Sequence, residues 1–233
     1  MKNIIFLIGF MGAGKTEIGK ILSKKLNYKF LDSDYEIEKY EKMTISEIFK
    51  TKGEEYFRNL ETAFIKNFLK VDYGKNTIKG IKGNGENVDK IREYNSRSRE
   101  GNYEDGDNGD IKDIKYIDIN DSILLKINNI SVNNMHYVIA TGGGMSCFND
   151  NINLLKDKGS VIYLKARPET IYERIKDEKH RPVLGQSGFS ISEIKRLMEK
   201  REQFYDKADL IIYTEGISPE GIAEEIKIFL NNI

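Results

Sequence analysis

The chain is poor in cysteine, in histidine, in net charge and in long apolar runs. Its single cysteine, Cys147, excludes an intramolecular disulfide and suits a reducing compartment. On its own, that thiol reads as a small buried residue. His136 and His180 are the only histidines and form no ligand spacing with Cys147, so neither a zinc pattern nor a catalytic triad is present. Lys plus Arg number 37 and Asp plus Glu number 37, giving a formal net charge of zero. A whole-chain basic field for gripping a polynucleotide is therefore missing, although local arginines can still bind small anions. Met1-Lys2-Asn3 followed by Ile4 to Ile8 looks superficially like the start of a signal peptide, but glycines and Lys15 soon interrupt the run. No later apolar stretch approaches the roughly 20 residues that span a bilayer. The expected setting is the cytoplasm, with no membrane and no nucleic-acid partner.

What the chain does contain is enough for one core. Its 233 residues are 39% hydrophobic and 32% charged, which suits a single domain over 1–233 with room for an insertion. Asn3 to Gly9 is a short, continuously apolar run, as in a strand buried on both faces. Further strands are expected at Tyr28 to Leu31, Tyr137 to Ala140, Val161 to Leu164 and Leu210 to Tyr213. Helical spacing marks Lys15 to Leu26, Tyr56 to Leu69, Pro168 to Lys176, Ile191 to Tyr205 and Pro219 to Leu230. Thr44 with Glu47 three residues on is a capping-box arrangement that opens another helix. Pro168 and Pro219 suit first-turn positions. This alternation predicts an α/β fold, a parallel sheet covered by helices on both faces.

One segment breaks the pattern. From 71 to 135 the chain is dense in Asn, Gly, Asp, Lys and Glu, as in Gly83-Asn84-Gly85-Glu86-Asn87. Such a composition buries too little apolar surface to offset chain entropy, so the middle of this insertion is expected to be disordered. Ile111 to Ile119 alternates as in a hairpin, and Ile123 to Ile130 is compatible with a helix.

Gly9-Phe10-Met11-Gly12-Ala13-Gly14-Lys15-Thr16 fits G-x-x-x-x-G-K-[ST], with a strand before it and a helix after. Small residues at Gly12, Ala13 and Gly14 let backbone N–H groups wrap the phosphates of a nucleoside triphosphate, at the positive end of a helix. Lys15 is placed to reach the β- and γ-phosphates and Thr16 to coordinate Mg²⁺. Asp32-Ser33-Asp34 ends the second strand at the same sheet edge, where open α/β sheets bind ligands. One carboxylate can hold a magnesium-bound water and the other accept a proton from a hydroxyl; equally, Ser33 or Asp34 can simply cap the next helix. Arg58 and Glu61 share a helix face, either as a carboxylate clamp or as an exposed ion pair. Gly142-Gly143-Gly144 after a strand admits close approach of backbone to a ligand, or is a loose turn. Arg181 stands beside Pro182, Gly185 and Gly188 in a stretch suited to a lid.

Taken in order, Gly9 to Thr16, Asp32-x-Asp34, Gly53-Glu54-x-x-Phe57-Arg58-x-x-Glu61, Ala140-Thr141-Gly142-Gly143-Gly144, Arg174, Arg181-Pro182-x-Leu184 and Arg201 with Tyr205 resemble the shikimate kinase family. That family lies in the nucleoside monophosphate kinase-like P-loop group, and the resemblance covers about residues 1–70 and 136–233. It implies a three-layer fold with a five-stranded parallel sheet and ATP-dependent phosphorylation of the 3-hydroxyl of shikimate, with Mg²⁺. It further implies that Asp34, Arg58, Gly142, Gly143, Gly144 and Arg201 bind shikimate. Arg181 would belong to a lid over the phosphates, and Arg174 and the loop at Pro219 would flank adenine. Lys15, Asp34 and Arg181 would then carry the transfer, and Thr16 and Asp32 would hold the metal. The segment between the Arg58 helix and the Gly142 strand departs from the family by about 60 extra residues, which reads as a surface excursion from an intact kinase core. A monomer is expected. Gluconate kinase is the nearest enzyme alternative and a non-catalytic kinase remnant the other; a GTPase is disfavoured because no Asn-Lys-x-Asp sequence occurs.

Overall fold

The computed structural model describes residues 3–70, 136–176 and 190–232, without the side chains of 67–70. The chain divides into two units, Met1–Leu69 with Val132–Ile233 and Lys70–Ser131, and the first is the one described below. The disorder, hairpin and helix weighed for 71–135, and the lid around Arg181, fall outside the described residues.

Five strands form one sheet: β1 (Ile4–Ile8), β2 (Lys29–Asp32), β3 (Tyr137–Ala140), β4 (Ser160–Lys165) and β5 (Leu210–Tyr213). Their order is β2-β3-β1-β4-β5, with every pairing parallel. The helices are α1 (Lys15–Leu26), α2 (Ser33–Glu41), α3 (Ile45–Lys70), α4 (Asn151–Lys158), α5 (Pro168–Ile175), α6 (Ile191–Tyr205) and α7 (Pro219–Asn231), with a 3₁₀ turn at Met145–Cys147. All five expected strands are present within a residue or two. The 3₁₀ turn and α4 were not expected from the sequence. Among the described residues, no helix is long and apolar enough to cross a membrane.

Strand composition and sheet order agree through burial. Successive residues of a strand face opposite sides. Ile5, Leu7, Val138, Ile162, Leu164 and Ile212 join one core cluster with Ile18 and Leu22 of α1 and with Ile222, Ala223, Ile226 and Leu230 of α7. Residues of the other parity, Phe6, Ile139, Val161 and Tyr163, are equally buried. Both faces are therefore covered, which is why β1, β3 and β4 read as unbroken apolar runs.

Two glycines set the shape of this layer. Gly53 has φ 84 and ψ 170 inside α3, so the helix breaks there and the Thr44 and Arg58 segments are separately aimed. That backbone region is essentially closed to residues with a Cβ. The expected capping box is formed: Glu47 N–H donates to Thr44 Oγ1, and Thr44 N–H to Glu47 Oε2.

Gly159, between α4 and β4, has an ordinary φ of −151. It is required by space instead. A Cβ there would lie 2.5 Å from the Ile4 carbonyl oxygen and 2.7 Å from the Phe6 ring. Because backbone on β1 cannot yield as a side-chain tip can, Gly159→Ala is expected to destabilise the fold by about 1–3 kcal/mol, the usual cost of overpacking. The midpoint of urea unfolding measures it, and an unchanged midpoint would refute this account of the contact.

Candidate active site

The carboxyl ends of β1, β2 and β3 meet at one edge of the sheet, where the strand order reverses about β1. Such reversal points leave a crevice for ligands. Immediately after β1 the loop turns through Gly9, Gly12 and Gly14, all with positive φ, and delivers Lys15 at the start of α1. Lys15 is 8% exposed, and its ammonium donates to the carbonyls of Gly9 and Phe10, at 2.8 Å each. A cation that interacts with its own loop carbonyls is held at the mouth of a helix N-terminus, a position that favours anions.

Next to it, Thr16 Oγ1 donates to Asp32 Oδ2 at 2.7 Å. Asp32 Oδ1 accepts the N–H groups of Asp34 and Tyr35. Asp32 is thus the cap of α2, where the sequence had suggested Ser33 or Asp34. Capping and site chemistry are not alternatives here, since each oxygen of one carboxylate does one of them. Ser33 turns inward instead, fully buried, and accepts the N–H of Gly142 at 2.8 Å. That bond ties the end of β3 to the start of α2.

The second half of the site is built on α3. Arg58 and Glu61 are 5% and 0% exposed, which removes the reading of an exposed ion pair. Arg58 Nη1 donates to Glu61 Oε2 at 2.8 Å, and Nε and Nη2 donate to Glu54 Oε1 at 3.1 and 2.9 Å. Burial pushes the Glu61 carboxyl up to about 7 and the neighbouring Asp34 charge adds to this, against the pull of Arg58 and Arg201. Glu61 Oε1 is buried without a hydrogen-bond partner. A carboxyl in that position is primed for a proton or a donor.

The glycine run after β3 is closely fitted, not a loose turn. A Cβ on Gly142 would collide with Asp34 Oδ1 and lie 2.9 Å from Glu61 Oε1; on Gly144 it would lie 2.7 Å from Arg58 Nη1. At Gly143 it would approach the Met11 amide at 3.0 Å. The Gly143 carbonyl accepts from Arg201 Nη1 at 3.2 Å and from the Tyr205 hydroxyl at 2.5 Å, so α6 is fastened to the glycine wall. The Cζ of Arg201 lies 5.3 Å from the centroid of the Phe10 ring. Cys147, read as buried, is half-buried beside this wall, and burial raises its thiol pKa.

Two cavities result. One, of about 590 Å³, is lined by Asp34, Arg58, Glu61, Gly142 to Gly144 and Arg201, together with Met11, Glu38, Phe49 and Phe57. The other, of about 400 Å³, is lined by Gly12 to Thr16, Asp32, Asp34, Arg174 and Pro219. Arg174 Nη1 also donates to the Gly12 carbonyl at 2.9 Å. Met11, Asp34 and Gly143 line both cavities. Of the residues singled out by sequence, all but Arg181 therefore come together; Arg181 lies outside the described residues. Sequence reasoning missed Glu38 and Phe49, whose spacing carries no signal, and gave no acceptor-side role to Met11, a variable position of the phosphate loop. An arrangement of this kind can hold a polyanion on one side and an acidic, hydroxylated molecule on the other.

Comparison with known proteins agrees. The family model described as "Shikimate kinase" matches residues 11–78 and 124–231. It leaves 79–123 unmatched, a narrower stretch than 71–135. Shikimate kinase of Persephonella marina is 34% identical over 226 residues, 97% of this chain and 97% of that protein. That of Thermodesulfovibrio yellowstonii is also 34% identical, over 97% of this chain and 93% of that protein. Among solved structures, shikimate kinase from Acinetobacter baumannii in complex with shikimate is 26% identical with a TM-score of 0.68, covering 100% of this chain and 95% of that one. With more than half its length matched by the family model, and with relatives of this identity along nearly its whole length, the chain belongs to the shikimate kinase family.

Proposed function

We infer that the protein transfers the γ-phosphoryl group of ATP to the 3-hydroxyl of shikimate, using the two joined cavities as a two-substrate site. What supports this reading most is the sharing of Met11, Asp34 and Gly143 between a phosphate-loop cavity and an arginine-lined one. Two substrates that react by direct transfer must touch, and separate pockets without a common wall would not bring them together.

In this reading the backbone of Gly12 to Lys15 cradles the phosphates, and the Lys15 ammonium exchanges its loop carbonyls for phosphate oxygens. Arg174 and Pro219 border the base. Arg58 and Arg201 take the shikimate carboxylate, with Gly142 to Gly144 as the wall against its ring, and Asp34 orients the attacking hydroxyl. The hydroxyl oxygen bonds to the γ-phosphorus as the bond from that phosphorus to the bridging oxygen of ADP breaks, and the hydroxyl proton leaves towards Asp34. Arg181 would add positive charge over the phosphates.

Thr16 and Asp32 fit Mg²⁺. Their hard oxygens already lie 2.7 Å apart. Among the described residues no group of three or more His, Cys, Asp or Glu side chains offers a closed cage, which suits an ion that keeps waters and substrate oxygens. When bound, it would neutralise charge on the β- and γ-phosphate oxygens. The single cysteine suits a reducing, cytoplasmic setting; in this reading the small anionic acceptor is met by local arginines, and the protein acts as a monomer.

The direct test is ADP release with shikimate beside gluconate. Shikimate-dependent release is expected, with gluconate at background; the reverse would sink the assignment. For the acceptor half, Arg58→Gln removes a charge-assisted contact of about 1.5–3 kcal/mol. It is expected to raise KM for shikimate about tenfold or more while KM for ATP stays within about twofold. Equal changes for both substrates would count against a carboxylate clamp.

Glu61 gives a stability test independent of turnover. Its carboxyl titrates at about 7 in the folded protein, above its ordinary 4.5, because burial and Asp34 outweigh Arg58 and Arg201. A raised carboxyl pKa favours folding while the group is protonated. That contribution is full below the ordinary value and is lost as pH rises through about 7. Glu61→Gln cannot ionise, so its stability relative to the parent is expected to increase between about pH 5 and 7.5. Urea midpoints across that range measure it, and a constant offset would mean that Glu61 does not titrate there.

A further inference from the structure

We propose that Phe148 and Asn149, in the loop between the 3₁₀ turn and α4, are positioning residues for Arg58, with Phe148 stacking on the guanidinium and Asn149 fastening that loop to α3. The proposal rests on the reading of Arg58 as the shikimate carboxylate clamp. It goes beyond that reading because neither residue lines the acceptor cavity.

The guanidinium of Arg58 is planar, and the two carboxylates around it act only at its edges. Glu61 meets Nη1, and Glu54 meets Nε and Nη2. Edge contacts within one helix fix the direction of the fork but leave it free to rock about its long axis. Faces are fixed by rings. Among the described residues three aromatic rings approach the Arg58 Cζ, and Phe148 is the nearest of them: its centroid is 4.1 Å away, against 5.4 Å for Phe57 and 5.8 Å for Phe49. Phe57 shares the helix with Arg58 and Phe49 precedes it on α3, so Phe148 is the only one of the three from a distant part of the chain. Of these three rings it alone follows the glycine wall in the chain, four residues after Gly144, which itself packs closely against the Arg58 guanidinium.

Asn149 explains how the ring is kept there. Its backbone is left-handed, with φ 50, a region that asparagine enters more readily than most residues. From that turn its Nδ2 donates to Thr62 Oγ1 at 3.0 Å and to the carbonyl of Arg58 itself at 3.4 Å, with Asn59 Oδ1 at 3.5 Å. The loop therefore holds Arg58 at both ends, by its carbonyl through Asn149 and by its guanidinium through Phe148. On the other side, the buried Asn151 donates to the Met145 carbonyl at 2.9 Å and ties the same loop to the 3₁₀ turn. A guanidinium fixed in plane and direction loses little freedom on gripping a carboxylate, which is where its advantage over a mobile cation lies.

The test compares Phe148→Leu, Phe148→Tyr and Asn149→Gly with the parent enzyme. Leucine keeps apolar bulk and removes the π face. It is expected to raise KM for shikimate about three- to tenfold, with kcat and KM for ATP within about twofold. Tyrosine keeps the face and is expected to restore the parent value. Asn149→Gly keeps the left-handed turn without the side-chain bonds and is expected to move KM for shikimate in the same direction by about twofold. In an Arg58→Gln background, Phe148→Leu is expected to have no further effect on KM for shikimate. An unchanged KM in Phe148→Leu, equal shifts for both substrates, failure of tyrosine to restore, or an undiminished effect without Arg58 each overturns the proposal. If Phe148→Leu proves too unstable to assay, Asn149→Gly with a parent-like KM overturns it alone. Should Arg58→Gln itself leave KM for shikimate unmoved, the clamp reading fails, and the positioning proposal with it. A selective effect of Arg58→Gln without one of Phe148→Leu sinks only the positioning proposal.

Discussion

Three consecutive positions without a Cβ allow the rest of this site to close. Gly142, Gly143 and Gly144 face, in turn, the carboxylates of Asp34 and Glu61, the backbone of the phosphate loop at Met11, and the guanidinium of Arg58. Those groups come from three segments, the loop after β1, α2 and α3, and each stands where a methyl group would be. The wall is therefore a spacing constraint shared by β1, α2 and α3. Its own placement depends on two donors to one carbonyl, Arg201 and Tyr205 on α6, and on the Ser33 hydroxyl beneath Gly142. A side chain at any of the three positions would push apart the phosphate side and the acceptor side, which have to share atoms for direct transfer.

Packing charged groups so closely has an electrostatic cost, and the structure distributes it. Arg58, Glu61 and Arg201 are all buried beside Asp34, and burying a charge without a partner is strongly unfavourable. Pairing Arg58 with Glu61 neutralises most of it. The residual imbalance appears on Glu61, whose carboxyl is lifted to about 7 because desolvation and Asp34 outweigh the two arginines. Arg58 and Arg201 match Glu61 and Asp34 when both acids are ionised, so an added substrate carboxylate is balanced when Glu61 is protonated, the form that its raised pKa favours. Among the described residues, the phosphate side adds no acid as fully buried as Glu61. It carries one largely buried lysine, bonded to its own loop carbonyls at a helix start, a position that favours a ligand bringing its own negative charge.

The family's local signatures were readable because each is a short-range device. The phosphate loop needs its glycines and lysine at fixed spacing, since one turn must wrap one phosphate group. Asp32 and Asp34 follow directly from the end of a strand. Arg58 and Glu61 are neighbours on one helical face. Other parts were less legible. Ser33 looked like a cap and proved to be a brace for Gly142, because only the position of β3 beside β2 brings that amide within reach. Phe148 and Asn149 gave no signal at all, lying ninety residues from the arginine they hold. β5 reads as a buried apolar strand, Leu-Ile-Ile-Tyr, yet Ile211 and Tyr213 are 37% and 61% exposed because β5 forms one edge of the sheet.

The sequence by itself determined the five strands and most of the helices, the parallel α/β class, the triphosphate loop and, through an ordered set of motifs, the family. These rest on periodicity and on spacing within a few residues, both written directly in the chain. The tertiary structure decided which charges are buried, that Asp32 both caps α2 and meets Thr16, and that the two cavities share Met11, Asp34 and Gly143. Those outcomes depend on strand order and on contacts between segments far apart in the chain. Burial and pairing of a charge are properties of a position in space, and one-dimensional spacing does not contain them.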